Sequence, residues 1–376
     1  MNESVLITGG AGFVGSHLAE ALLAAGHEVT VFDNLEPQVH GNGCSEWPAY
    51  LRSSLKRVRG DVQDADALAE PLREAEVVFH LAAMVGVGQS MYQIRRYTEA
   101  NTLGAANLLQ LLAENAGRVR KLVVASSMSI YGEGAYECPN CGPIAPRLRD
   151  EAQLMERDWE VHCECCQAEL RPLPTPEDKP LFPSSIYAIG KRDHEEMFLT
   201  FGRAYRVPAV GLRFFNIYGS RQALSNPYTG VAAIFCARML QGQPPVIFED
   251  GEQRRDFVHV SDVVQACTLA MDSPAADHQV FNVGSGQPVG ISTVAQILAR
   301  ELGWEGRFEV TGKYRAGDIR HCYADISRIQ QLLGYGPRVR FEEGARELVD
   351  WVARQQVVRE PVADATSELM ARGLVR

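Results

Sequence analysis

The sequence predicts an α/β fold: a doubly wound parallel sheet, a smaller C-terminal α/β domain and a cysteine-bearing insertion. Three observations carry this. Short β-branched runs at 5–7, 29–32, 77–81 and 122–125 alternate with longer helical patterns such as 12–25, the order expected of βαβ units. A glycine-rich turn joins the first run to the first helical pattern. The chain has 376 residues, 46% of them hydrophobic, which suffices for two lobes and argues against disorder.

Charge narrows the function classes. A formal net charge of -10 and a pI near 5.5 argue against a general nucleic-acid or anionic-membrane binder, because such partners attract clustered Lys and Arg. A small anionic ligand stays open, since only local charge matters to it. Met1-Asn2-Glu3 leads directly into Val5-Leu6-Ile7 without a basic region and long apolar segment, and no apolar run is long enough to span a bilayer. A soluble, cytoplasmic protein is expected.

The first strand runs into Thr8-Gly9-Gly10-Ala11-Gly12-Phe13-Val14-Gly15, where an amphipathic helix begins. In a Rossmann turn Gly9 allows the tight bend, Gly12 lets the backbone approach a pyrophosphate, and Gly15 permits close packing of helix and sheet. The free N–H groups at Phe13 and Val14 favour phosphate. The second strand ends in Asp33, 18 residues beyond Gly15, where a carboxylate accepts from the adenosine ribose and repels a 2′-phosphate, so NAD is expected over NADP. Asn34 beside it, and Asp61-Val62 after the strand-like stretch Lys56–Arg59, fall at the same sheet edge. For Asp61, capping of a helix at 65–72 is an equal alternative. Leu81 ends another strand, and the small Ala82 and Ala83 let a cofactor lie close.

Tyr187 and Lys191 stand four apart in Ser185-Ile186-Tyr187-Ala188-Ile189-Gly190-Lys191 and share one helix face. With an ammonium and a nicotinamide nearby, Tyr187 becomes the base that removes a hydroxyl proton while hydride leaves the same carbon. Reaching half-ionisation from the ordinary phenol value takes about 4 kcal/mol of preferential phenolate stabilisation. Ser127, in Ser126-Ser127-Met128-Ser129-Ile130-Tyr131-Gly132 after the fifth strand, is placed to hydrogen-bond the reacting hydroxyl.

These motifs closely resemble the extended short-chain dehydrogenase/reductase family, specifically its NAD-dependent nucleotide-sugar epimerases and dehydratases. The resemblance covers nearly the whole chain except 133–182. It includes Leu212-Arg213-Phe214-Phe215-Asn216-Ile217-Tyr218-Gly219, Arg255-Asp256-Phe257-Val258-His259-Val260-Ser261-Asp262, Phe281-Asn282-Val283-Gly284 and Gly317-Asp318-Ile319-Arg320. It implies that Asn216, Arg255, Arg315 and Arg320 hold the nucleotide diphosphate, in keeping with guanidinium and amide donors facing phosphate. It also places Asn101 in support of the active-site region, Ser129 at the substrate, and a homodimer through helices near 102–114 and 187–205. The implied domains are 1–137 with 183–217 for NAD, 138–182 for the insertion and 218–376 for the nucleotide sugar, with 256–283 returning to the first.

The 4,6-dehydratases of this family carry Asp then Glu where this chain has Met128 and Ser129. Without that pair, elimination lacks its acid and base, and oxidation followed by re-reduction remains. Val85-Gly86-Val87-Gly88-Gln89-Ser90-Met91 and the stretch 222–230 look most like dTDP-L-rhamnose 4-epimerases, which make dTDP-6-deoxy-L-talose; Gly86 there leaves room for a turning sugar. A 4-keto-sugar reductase releasing NAD(P) each turnover shares Tyr187 and Lys191 and is the alternative. A non-enzymatic NAD-sensing scaffold is disfavoured by the intact catalytic set.

Nine cysteines occur, five of them between Cys138 and Cys166. The knuckles Cys138-Pro139-Asn140-Cys141 and Cys163-Glu164-Cys165-Cys166 have zinc-ribbon spacing, so Cys138, Cys141, Cys163 and Cys166 are expected to hold one structural Zn²⁺, with Cys165 spare. Residues 138–171 carry four arginines against seven acids, which repels phosphate backbones. The insertion is expected as a flap near the sugar pocket, with the Pro-rich 172–183 as a stiff return strap.

Overall fold

The computed structural model describes residues 2–41, 46–115, 117–224, 226, 228, 230–355 and 367–376. Ser225, Pro227 and Thr229 of the 222–230 stretch lie outside the described residues. Seven strands form the main sheet: β1 (Ser4–Thr8), β2 (Glu28–Asp33), β3 (Lys56–Arg59), β4 (Val77–His80), β5 (Lys121–Ser127), β6 (Ala209–Phe214) and β7 (Val280–Val283). Their order is β7-β6-β5-β4-β1-β2-β3, and every ladder is parallel.

Alternation along the strands explains why helices cover both faces. Val5, Ile7, Val77, Phe79 and Val123 turn to one face, where Leu18 and Leu22 of helix Phe13–Ala24 meet Val263, Ala266 and Met271 of helix Val260–Asp272. Leu6, Val78, Leu122 and Val124 turn to the other, against Leu68, Leu108 and Phe198 from helices Ala65–Glu74, Gly104–Glu114 and Ile186–Tyr205. The strand direction reverses its spread between β1 and β4, which opens a cleft at the carboxyl edge.

A second sheet joins Asn216–Tyr218, Arg254–His259, Pro288–Gly290 and His321–Cys322. Tyr218, Phe257 and Phe341 pack with helices Val231–Leu240, Ile291–Leu302 and Phe341–Arg354 to give this lobe its own core. Of the stretch 256–283 expected to return to the first domain, strand Arg254–His259 pairs with the second sheet while its Val258 already packs in the first core, and helix Val260–Asp272 and β7 follow on the main sheet.

The insertion folds as three antiparallel strands, Ala135–Cys138, Gly142–Ile144 and Arg171–Leu173, around Tyr136, Val161 and Leu170. Its return strap is pinned: Asn282 Nδ2 donates to Thr175 O at 2.8 Å, and Lys179 Nζ to Tyr131 O at 2.9 Å. Among the described residues no helix is long and apolar enough to cross a membrane.

Candidate functional site

A cavity of about 900 Å³ runs from the β1 turn across to the second lobe, large for a ligand cleft. Its first end is the glycine loop. Gly9 has φ +69°, and a Cβ there would meet Ala82 N at 2.7 Å. At Gly15 a Cβ would lie 2.3 Å from Gly9 O, so this glycine serves the fold of the loop itself. Gly10 is equally constrained, by Ile7 O at 2.8 Å and Val31, and was missed although it stands in the Gly9-Gly10 doublet. Gly12 caps helix Phe13–Ala24 without any side chain of its own, which leaves the helix N-terminus open to the cavity. Phe13, Val14, Leu81, Ala82 and Ala83 line the same stretch.

Asp33 holds this end in shape. Its carboxylate accepts from Ala11 N at 3.0 Å and Leu35 N at 2.9 Å, and burial pushes its pKa up against those bonds and the nearby His40. Asn34 Nδ2 donates to Asp61 Oδ2 at 2.8 Å, which sets both at the cavity wall with Val62. The capping alternative for Asp61 is corrected. Asp64 is the cap of helix Ala65–Glu74, accepting from Asp66 N and Ala67 N, and Asp61 stays in the loop.

The structure brings Ser127, Tyr187 and Lys191 together at the middle of the cavity. Ser185 caps helix Ile186–Tyr205 by accepting from Ala188 N at 3.1 Å, and one turn separates the phenol from the amine. Lys191 Nζ donates to Ala125 O at 2.9 Å, so its position is set by β5. Burial lowers its pKa to about 7. Burial raises Tyr187 to about 12, opposed by a hydrogen bond from Ser127. Ionising that phenol near neutrality then takes about 7 kcal/mol, more than the 4 kcal/mol worked from an ordinary phenol. Ser127 also accepts from Ser129 N at 3.1 Å and Ser129 Oγ at 2.9 Å, so it caps the turn Met128–Tyr131 as well as facing Tyr187.

Asn101 lies in a π-helical turn, Thr98–Leu103, and clamps the Met84 backbone: Oδ1 accepts from Met84 N at 2.8 Å and Nδ2 donates to Met84 O at 3.1 Å. Behind Lys191, His80 and His194 are fully buried and kept neutral, His80 at about 3, chiefly by burial. No sequence pattern marked these two histidines.

At the far end Asn216, Arg255 and Arg315 line the cavity. The expectation for Gly86 is corrected: Val85, Val87 and Gly88 line the cavity but Gly86 does not, and a Cβ there would meet Tyr97 Oη at 2.7 Å and Tyr228 Cβ at 3.0 Å. Asn216 Oδ1 is buried with no protein partner, an acceptor left for something in the cleft. Arg255 and Arg315 share Asp318, at 3.4 and 2.8 Å, and Arg315 lies over the Phe248 ring at 4.9 Å. Arg320 is corrected. Its side chain is 1% exposed and bound to Glu160, Glu249 and Asp250, away from the cavity lining. Three acids from two distant segments claim it, so it ties the insertion to the second lobe.

Cys138, Cys141, Cys163 and Cys166 converge, with all four Sγ atoms within 4.8 Å of one another. The pairs 138–166, 141–166 and 141–163 are 3.4, 3.8 and 3.8 Å apart. A tetrahedron with metal–sulfur bonds of about 2.3 Å has edges of about 3.8 Å, so this donor set fits zinc. The flap expectation is corrected in part. No described residue of 133–182 lines the cavity.

Residues 5–148 and 162–284 match the model of the NAD dependent epimerase/dehydratase family. The chain is 34% identical over 359 residues to a dTDP-L-rhamnose 4-epimerase of Burkholderia thailandensis, covering 94% of this chain and 96% of that protein. It superposes on a UDP-glucose 4-epimerase of Thermotoga maritima holding UDP-glucose, with TM-score 0.76, 30% identity, and 93% and 99% of the two chains covered. A UDP-glucose 4-epimerase of Thermus thermophilus in complex with NAD gives TM-score 0.71, 30% identity, and coverage of 93% and 99%.

Proposed function

The chain belongs to the NAD-dependent epimerase/dehydratase family, and from that premise we propose that it is a nucleotide-sugar 4-epimerase working through tightly held NAD. The substrate proposed is a dTDP-6-deoxyhexose such as dTDP-L-rhamnose, the sugar nucleotide named for the Burkholderia relative. One observation carries the reaction type. Ser127, Tyr187 and Lys191 meet at the cavity, while the lining carboxylates, Asp33, Glu36, Asp61 and Asp318, stand in the β2 and β3 loops or bound to Arg255 and Arg315. An acid and base for eliminating water are therefore absent beside Tyr187 among the described residues.

NAD, when bound, supplies the hydride acceptor and then the donor. Tyr187 takes the C4 hydroxyl proton and returns it after the keto sugar turns over. Ser127 holds the same oxygen, and Lys191, fixed at Ala125 O one turn from the phenol, takes up its charge as the phenolate forms. Gly12 and the helix behind it would take the pyrophosphate, Asp33 the ribose, and Asn216, Arg255 and Arg315 the sugar-nucleotide diphosphate.

We assign one structural zinc ion to Cys138, Cys141, Cys163 and Cys166; four thiolates leave no open position for catalysis. We also propose a homodimer, supported by exposed Leu103 and Ile189 on adjoining turns where Thr102 Oγ1 meets Asp193 at 3.0 Å. Incubating the purified protein with dTDP-L-rhamnose and no added nicotinamide should produce its 4-epimer by proton NMR. Turnover that demands stoichiometric added NADH or NADPH would refute the epimerase.

A further inference from the structure

Residues 367–376 lie beyond the span matched to the family, yet they return to the cavity, where Ser367, Leu369, Met370 and Leu374 form part of its wall. Main-chain bonds hold them there. Tyr314 N donates to Arg376 O at 2.9 Å, Arg376 N to Tyr314 O at 3.0 Å, and Ala316 N to Leu374 O at 2.9 Å. The segment thus runs alongside Arg315. The insertion braces it from behind, for Glu151 pairs with Arg376 and the Trp159 ring lies 6.4 Å from that of Tyr314.

Its side chains meet the loop after β4. A Cβ on Gly88 would stand 3.3 Å from both Leu369 δ-carbons and 3.6 Å from the Tyr228 ring. Arg372 covers the Tyr92 ring at 4.4 Å, and the Tyr92 and Tyr228 hydroxyls bond at 2.7 Å. This wall adjoins the reacting centre, because Met84, Tyr97 and Tyr187 pack together and Gly86 is wedged between Tyr97 and Tyr228.

The wall is apolar in an unusual way. Val85, Val87, Met91 and Met370 are large hydrophobic side chains that remain exposed, and all four line this cavity. Among the described residues, those of 81–91 and 367–374 that line the cavity are all uncharged, while Glu368 and Arg372 of the same segment are not part of the lining. Such a surface favours a methyl group and disfavours a hydroxyl, more so a carboxylate, which would lose hydration without a partner.

We propose that residues 367–376 complete the sugar end of the pocket, and that Leu369 and Met370 select a hexose whose C6 is a methyl group. This rests on the epimerase reading above. The test compares kcat/KM for dTDP-L-rhamnose and for the same nucleotide carrying a 6-hydroxylated hexose, in wild type, Leu369→Gln and Met370→Gln. Bound nicotinamide and melting temperature report folding. Each substitution should cut kcat/KM for the deoxy sugar about tenfold and leave the hydroxylated one within about twofold. Equal losses for both sugars, no loss, or a wild type without preference would overturn the proposal. If Leu369→Gln fails to fold, Met370→Gln, exposed at 41%, decides alone. If wild type turns over neither sugar, the substrate reading fails, and calorimetric binding of the same two nucleotides judges the segment by the same ratio.

Discussion

Replacing Lys191 by Met should stabilise the nucleotide-free protein at pH 6 while abolishing catalysis. Lys191 is 3% exposed, and burial carries its pKa from 10.5 to about 7. Between those values the unfolded chain binds a proton that the folded chain does not, so stability rises with pH, and the penalty is complete only below about 7. At pH 6 it amounts to about 5 kcal/mol. The bond to Ala125 O, lost in the variant, returns about 2 to 3 kcal/mol of that, leaving a net gain of about 2 to 3 kcal/mol. Urea unfolding of both proteins from pH 6 to pH 9 checks this. The gap should close by about 3 kcal/mol across that range, as wild type rises relative to the variant. A variant less stable at every pH, or a gap independent of pH, would refute the claim that Lys191 is held against its own ionisation.

Tyr187→Phe should lower kcat by about 10³-fold or more and leave nucleotide-sugar affinity within a few-fold, measured by turnover and calorimetry. Arg320→Ala leaves Glu160, Glu249 and Asp250 without their shared cation and should cost about 3 to 5 kcal/mol in urea unfolding with KM unchanged; a raised KM at wild-type stability would return Arg320 to the substrate. Elemental analysis should find one zinc per chain, lost in Cys163→Ser and retained in Cys165→Ser. Ile189→Glu should shift sedimentation from dimer to monomer, and an unchanged species would remove that helix face from the interface.

Features set by local sterics were legible. Gly15 is demanded by contacts within one turn and Gly9 by its φ of +69°, although Gly9 also needs room for the distant Ala82, and the Tyr187/Lys191 spacing needs only helical geometry. The cysteine knuckles were legible for a similar reason, since four thiols at fixed spacing admit few arrangements. Arg320 was not, because its partners lie 70 and 160 residues away, and a motif match cannot say which carboxylates reach a guanidinium first. The same holds for residues 367–376, whose place depends on Tyr314 and Gly88, and for Asp61, displaced as a cap by an acid three residues on. Met128 and Ser129 carried their information by what they lack.

The most direct measurement follows deuterium placed at C4 of dTDP-L-rhamnose, in ordinary water with unlabelled NADH in the medium. Hydride that leaves and returns within one closed cleft should put the label back on C4 of the epimer, with none in the medium's nicotinamide. Deuterium in the NADH pool, or product carrying protium at C4, would contradict the closed cycle.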